Sequence, residues 1–192
     1  MMRVGFIRHG STSWNKEKRA QGSSDIHLDD DGRRDAAKLA RHLEKGKWDV
    51  IYSSHLKRAK QTASIIAKTL GIEVIIDPRL REAGGGKIEG TTEKERIAKW
   101  GSNWRELDLG IEKEELVVAR ALEAITEYHE DYKGKNILIV SHGSFLRHFF
   151  KTALPELDHE KHLFNTSLTV LEKRDDEWTH EIYNSTRHLK QK

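Results

Sequence analysis

The chain has 192 residues, which is enough for one domain of ordinary size with a buried core. Its 34 basic and 31 acidic residues are interspersed over the whole length and leave a formal net charge of +3, a pattern typical of a solvated surface, so nucleic acid is not an expected partner. The absence of cysteine excludes disulfide and thiolate chemistry, and no apolar run approaches the ~18 residues of a membrane span. We therefore expect one domain over residues 1–192, located in the cytoplasm and not associated with a membrane.

The first third of the chain alternates strand patterns with helix patterns. A β-branched apolar run predicts a strand over Val4–Ile7, and a second run predicts a strand over Trp48–Tyr52. Between them, apolar residues at helical spacing predict a helix that begins at the N-cap Asp29 and is closed by Gly46. A second amphipathic helix is predicted over His55–Leu70.

The middle of the chain continues this alternation. Short apolar runs predict strands over Val74–Ile76 and Ile137–Val140. The stretch between them, residues 92–133, carries helical patterns, and the clearest of these has an apolar face made of Val118, Ala121, Leu122, Ile125 and Tyr128. A further helix is predicted from about Ser144 to Ala153, directly behind the fourth strand.

The end of the chain carries a different pattern. Two strand patterns, over Leu168–Lys173 and Trp178–Tyr183, are joined by a charged turn and predict an antiparallel hairpin. The preceding alternation of strands and helices favours a mostly parallel sheet with helices on both faces. The sequence therefore predicts an α/β fold, a three-layer α/β/α sandwich with a mostly parallel central sheet and the antiparallel C-terminal hairpin at its edge.

Reactive side chains follow the predicted strands. Arg8 and His9 follow the first strand, and Arg58 lies one turn into the helix after the second. Glu82 follows the third strand and His142 follows the fourth. Ligands of open α/β sheets bind beyond the carboxyl ends of the strands, so these groups are expected to meet at one rim. Two arginines, two histidines and helix N-termini together fit a phosphate dianion.

Four sequence blocks occur in a characteristic order along the chain. They are Arg8-His9-Gly10 with Thr12 and Asn15, the segment 52–63 around Arg58, Leu80-Arg81-Glu82, and Val140-Ser141-His142-Gly143. These blocks closely resemble those of the histidine phosphatase superfamily, the phosphoglycerate mutase-like group, and the short chain resembles its compact phosphatase-type members. The resemblance implies a metal-independent phosphomonoester hydrolase without a cofactor, whose partner is a small phosphorylated metabolite.

The resemblance also implies a role for each matching side chain. His9 would be the nucleophile that becomes a phosphohistidine. Glu82 would protonate the leaving alkoxide and then deprotonate the attacking water. Arg8, Arg58 and His142 would hold the phosphoryl oxygens. The full set of implied phosphate or substrate contacts is Arg8, Asn15, Gln21, Gly22, Arg58, Glu82, His142 and Gly143.

The stretch after Glu82 departs from the family pattern. Relatives commonly carry an acidic residue and an aromatic residue before a Gly-x-aromatic-x-Gly turn, whereas this chain has three consecutive glycines at 84–86. Consecutive glycines raise the entropy of a loop and remove side chains from beside the general acid. We therefore expect altered substrate contacts at this place, with Glu82 retained.

Three other functions compete with hydrolysis. A mutase shares the chemistry, but only 60 positions separate Glu82 from His142, a short insert that favours a phosphatase. A catalytically inactive module that binds a phosphorylated ligand is disfavoured because His9 is retained. A zinc enzyme is disfavoured because the two histidines of segment 159–162 lack His-Glu-x-x-His spacing. The physiological substrate and the oligomeric state are left open.

Overall fold

The computed structural model describes residues 2–44, 47–174 and 177–190, and a six-stranded sheet forms its centre. The strands are β1 (Met2–Arg8), β2 (Val50–Ser53), β3 (Glu73–Ile76), β4 (Asn136–Ser141), β5 (Leu168–Arg174) and β6 (Glu177–Ser185). They lie in the order β3-β2-β4-β1-β5-β6, with β1 to β4 parallel to one another and β5 and β6 added in antiparallel fashion. The predicted mostly parallel sheet with an edge hairpin is confirmed.

Helices cover both faces of this sheet. They are α1 (Ser13–Lys16), α2 (Asp30–His42), α3 (Lys57–Leu70), α4 (Glu93–Trp100), α5 (Glu114–Asp131) and α6 (Gly143–Ala153). Side chains of α2 and α3 pack with Ile7 and Ile51 on one face, and side chains of α5 and α6 pack with Val4 and Phe6 on the other. The predicted three-layer arrangement is therefore confirmed. In the part of the chain that is described, no helix is long and apolar enough to cross a membrane.

The first long helix, α2, ends earlier than predicted. Asp29 is its N-cap, as expected, and the carboxylate accepts a hydrogen bond of 2.7 Å from a backbone amide of the first turn. The helix ends at His42 because Leu43 adopts an extended backbone and buries its side chain in the core. Gly46, the predicted end, lies outside the described residues, as do residues 175–176 in the charged turn of the hairpin.

The buried face of α5 matches the prediction at Ala121, Ile125 and Tyr128 and differs from it at Leu122. Leu122, predicted on the apolar face, is 40% exposed, whereas Val117 and Ala124 are fully buried. Tyr128 fixes this orientation, since its ring stacks on that of Tyr52 with 3.6 Å between the centroids. Contacts with the sheet therefore decide which side of α5 is buried.

The sheet topology brings the carboxyl ends of neighbouring strands together. β1 pairs with β4 so that Arg8 lies beside Ser141, and the backbone amide of His9 donates to the Ser141 carbonyl oxygen at 3.0 Å. On the other side of β4, the Ser54 amide donates to the Val140 carbonyl oxygen at 3.1 Å. The residues that follow β1, β2 and β4 therefore meet at one edge of the sheet, where open α/β folds bind ligands.

Candidate active site

His9 lies directly after β1, and the residue is 2% exposed. Its Nδ1 atom lies 2.7 Å from the carbonyl oxygen of Gly10. A carbonyl oxygen only accepts hydrogen bonds, so Nδ1 carries the ring proton and Nε2 keeps a free lone pair. Burial, together with the positive charges of Arg58 and Arg8, lowers the pKa of His9 well below its ordinary value. The imidazole is therefore neutral near neutral pH, and Nε2 is available as a nucleophile.

His142 lies beside His9, with 5.2 Å between the ring centroids. Its Nδ1 atom accepts a hydrogen bond of 3.2 Å from Nε of Arg58, because a guanidinium only donates. Nε2 then carries the proton and donates to Oγ of Ser54 at 2.8 Å. Burial, followed by the charge of Arg58, lowers the pKa of His142 well below its ordinary value. Both ring nitrogens are thus engaged, so a contact between His142 and phosphate requires the exchange of one of these bonds.

Arg58, in the first turn of α3, is fully buried. Its Nη1 and Nη2 atoms donate to the backbone carbonyl oxygens of Ser24 at 2.7 Å and Gly22 at 2.8 Å. Each of these nitrogens carries a second hydrogen atom that remains for an anion. Burial lowers the pKa of Arg58 to about 10, so the guanidinium is still charged at neutral pH.

Arg8, at the end of β1, supplies a second guanidinium. Its Nη1 atom donates to the carbonyl oxygen of Leu163, while its buried Nε atom has no hydrogen-bond partner among the described residues. Gly143 permits the close approach of Arg8 to α6, since a Cβ atom there would lie 3.2 Å from Nε of Arg8. Because an unpaired buried donor costs free energy, Nε of Arg8 is well suited to contact an anion.

Glu82 is oriented by the N-terminus of α6. Its carboxylate accepts hydrogen bonds from the backbone amides of Ser144 at 3.1 Å and Phe145 at 2.8 Å, and from the amide of Ala83 at 2.8 Å. Arg120, which is 8% exposed, donates to the backbone carbonyl oxygen of Glu82 at 3.2 Å. Sequence reasoning missed Arg120, although a charged residue on the buried face of a helix was an available signal.

Asn15 and Gln21, both predicted to contact the phosphate, lie on either side of Thr12. The Asn15 side-chain oxygen accepts hydrogen bonds from the Thr12 amide at 3.1 Å and its hydroxyl at 3.0 Å, which caps α1. The Thr12 hydroxyl also lies 3.1 Å from the side-chain oxygen of Gln21. The Asn15 amide group therefore remains as the donor that could reach a phosphate.

The glycine loop at 84–86 is held in place by two carboxylates. The Gly84 amide donates to Glu112 at 2.9 Å, and the Gly85 amide donates to Glu89 at 2.9 Å. Glu89 also accepts hydrogen bonds from the Ser23 amide at 2.8 Å and from the Ser24 hydroxyl at 2.7 Å. These hydrogen bonds therefore restrict the conformational freedom that three consecutive glycines were expected to give the loop. Glycine at position 85 also lets the Glu89 side chain lie against the loop. A Cβ atom at Gly85 would lie only 2.7 Å from that side chain, which is too close.

The histidines of segment 159–162 do not converge on one point. His159 lies with Nε2 2.8 Å from the Leu154 carbonyl oxygen and Nδ1 3.3 Å from the Tyr183 hydroxyl. His162 instead lines a cavity beside Arg8. Within the described ranges, no group of three or more His, Asp or Glu side chains is arranged to hold a metal ion.

Two adjoining cavities open beside Glu82. The smaller, of about 160 Å³, is lined by Arg8 and His162, and the larger, of about 350 Å³, is lined by the glycine loop. Glu82, Ser144 and Arg147 line both. The carboxylate at the N-terminus of α6 therefore faces the space in which the leaving group of a phosphate ester would lie.

Known proteins resemble this chain over nearly its whole length. Residues 4–186 match the family described as histidine phosphatase superfamily (branch 1). The chain is 34% identical to phosphoglycerate mutase-like protein 4 of Arabidopsis thaliana, over 98% of this chain and 87% of the relative. It is 32% identical to the metal-independent phosphoserine phosphatase of the same plant, over 97% of this chain and 82% of that relative. The solved structure of Bacillus stearothermophilus YhfR superposes with a TM-score of 0.88 at 30% identity, covering 98% of this chain and 100% of that one.

Proposed function

The chain belongs to the histidine phosphatase superfamily, and we propose that it hydrolyses a small phosphomonoester through a phosphohistidine on His9. The observation that carries this proposal is the state of His9, a buried and neutral imidazole with Nδ1 bonded to the Gly10 carbonyl and Nε2 free. The positive charges of Arg58 and Arg8 act on this imidazole from nearby. Hydrolysis at this site uses protein side chains alone, with no metal or cofactor.

The first step transfers the phosphoryl group to His9. Nε2 forms a bond to phosphorus while the bond from phosphorus to the ester oxygen breaks, and the leaving alkoxide takes a proton from the Glu82 carboxyl group. Nε of Arg8 and the remaining hydrogens of Arg58 donate to the phosphoryl oxygens. Donors fixed in this way supply most of the stabilisation in phosphoryl transfer.

The second step releases the phosphate. A water molecule gives a proton to the Glu82 carboxylate while its oxygen bonds to phosphorus, and the bond from phosphorus to Nε2 of His9 breaks. The electron pair returns to Nε2, which restores the neutral imidazole. Glu82 thereby acts as an acid in the first step and as a base in the second.

Trapping of the intermediate tests this mechanism. With a ³²P-labelled phosphomonoester in the presence of EDTA, we expect rapid quenching in alkaline detergent to give a protein adduct that is labile in acid and stable in base. His9→Ala should abolish both the adduct and the release of inorganic phosphate, whereas His180→Ala, at an exposed position on β6, should retain both. A label that survives His9→Ala or maps to a serine would contradict the mechanism. Transfer of the label to a second metabolite without release of inorganic phosphate would indicate a mutase.

A further inference from the structure

Arg147 is a half-buried arginine without an intramolecular partner. It lies on α6 and lines both cavities beside Glu82. Within residues 2–44, 47–174 and 177–190, its guanidinium has no hydrogen bond and no ion pair. Outside the site around His9, three arginines of comparable or greater burial, Arg79, Arg96 and Arg120, each contact a carboxylate. A guanidinium that is partly desolvated and unpaired at a cavity wall is available to an external anion.

Arg147 lies on α6 close to the part of the site where the leaving group of a phosphate ester would lie. Ser144 and Arg147 are three residues apart on α6, so their side chains lie on the same face about 5–6 Å apart at Cβ. The Ser144 amide donates to the Glu82 carboxylate at 3.1 Å. Arg147 is therefore one helical turn beyond the residue whose amide binds Glu82, and all three residues line the two cavities beside that carboxylate.

The charges around Arg147 favour an anion. In the smaller cavity the other basic side chains are Arg8 and His162, and the acidic one is Glu82. The larger cavity adds two carboxylates, but both are already paired. Glu112 contacts Arg120 at 3.0 Å, and Glu114 lies 3.4 Å from the ammonium group of Lys151.

We propose that Arg147 binds an acidic group carried by the leaving alcohol, either a carboxylate or a second phosphate. The inference rests on the proposed phosphatase function and deepens it, because it makes the preferred substrates phosphomonoesters with a second anionic group a few bonds from the ester oxygen. The planar guanidinium matches the two oxygens of a carboxylate or phosphate in bidentate fashion.

Paired substrates that differ only in the second anion test this proposal. 3-Phosphoglycerate and glycerol 3-phosphate differ by a carboxylate against a hydroxymethyl group, and propane-1,3-diol bisphosphate and monophosphate differ by a second phosphate. Since a hydrogen bond to a charged group is worth about 1.5–3 kcal/mol, we expect kcat/KM to favour the anionic member of at least one pair by about ten- to hundredfold. The pair with the larger preference identifies the anion.

Variants at Arg147 then assign the preference to this residue. Arg147→Met should bring the ratio of kcat/KM within the preferred pair close to one, mainly through a higher KM for the anionic member. Arg147→Lys, which keeps the charge without the planar fork, should retain part of the ratio and serves as a second variant if the methionine protein folds poorly. Arg41→Met removes an exposed cation from the distant α2 and should leave the ratio unchanged.

Two outcomes would overturn the assignment of Arg147. The first is a wild-type enzyme without preference for either anionic substrate, and the second is a preference that Arg147→Met leaves intact. In both cases phosphate release that depends on His9 would still support the phosphatase function. Loss of the function itself would appear differently, as the absence of phosphate release from every substrate of both pairs.

Discussion

At the scale of single residues, Glu82 has the fixed position that the two proton transfers of the proposed mechanism require. Amides of the first turn of α6 bind it from one side, and Arg120 holds its backbone carbonyl from another. These contacts leave the side chain little freedom, while it still faces both cavities. A general acid needs such fixed placement because proton transfer depends on hydrogen-bond distance to the reacting oxygen.

The contribution of Glu82 to kcat/KM should depend on how basic the leaving group is. Glu82→Gln cannot supply a proton, so kcat/KM for alkyl phosphates should fall roughly a hundred- to ten-thousand-fold. The loss for p-nitrophenyl phosphate should be much smaller, because its phenolate leaves without protonation. Steady-state kinetics of both substrate types measure the difference, with Glu115→Gln on exposed α5 surface as the control. Equal losses for both types would assign Glu82 a structural or dephosphorylation role instead.

At the scale of elements, the glycine loop is shaped by close approach of two backbones. Gly86 has a φ of +53°, and a Cβ atom there would lie 2.3 Å from the Leu109 carbonyl oxygen. The Lys87 amide donates to that same oxygen at 2.8 Å. A side chain at Gly86 would therefore both strain the backbone and separate the loop from the segment against which it packs.

Two glycine variants separate these effects. Gly134 also has a positive φ, of +76°, but a Cβ atom there would meet nothing within 4 Å. Gly134→Ala should therefore cost only the backbone strain, about 1–2 kcal/mol of unfolding free energy. Gly86→Ala should cost more, since the steric clash is added, and should also raise KM because the loop lines the substrate cavity. Urea unfolding measures the stability of the two variants, and steady-state kinetics measure their KM. Equal losses of stability in Gly86→Ala and Gly134→Ala would show that the steric clash at position 86 relaxes without cost.

At the scale of the whole molecule, stability should depend on three buried histidines. Burial is the largest cause that lowers the pKa of His9 and His142 well below the ordinary value. It also lowers the pKa of His188 to about 4, helped by the nearby charges of His42 and Lys38. Nε2 of His188 lies 3.0 Å from the Thr166 hydroxyl, which places this histidine beneath the segment that follows β1.

The free energy of unfolding should therefore fall in acid. An unfolded histidine binds a proton below about pH 6.5, whereas His188 stays neutral in the folded protein until about pH 4, so the unfolded state gains protons in this window. His188→Gln should make the decline between these values shallower, and His180→Ala, at an exposed position, should not change it. Urea unfolding at a series of pH values measures the slope. An unchanged slope in His188→Gln would mean that His188 is protonated in the folded state.

Local patterns predicted the elements because they depend on a few neighbouring positions. The parallel strands, the N-cap at Asp29 and the C-terminal hairpin follow from apolar runs, capping chemistry and alternation. The expectation that Arg8, His9 and His142 meet follows from one topological rule, that parallel strands end at the same edge. These features could be predicted without knowing which side chains contact one another in the folded protein.

The sequence by itself thus determined the family, the fold class and the residues expected to carry the chemistry. Only the tertiary structure decided which partners those residues have, such as the Gly22 carbonyl for Arg58 and the Arg120 guanidinium for the backbone of Glu82. It also decided that Leu122 is exposed and that Arg147 is unpaired among the described residues. The physical reason is that these contacts join distant parts of the chain, and their geometry depends on how α5 and α6 pack against the sheet.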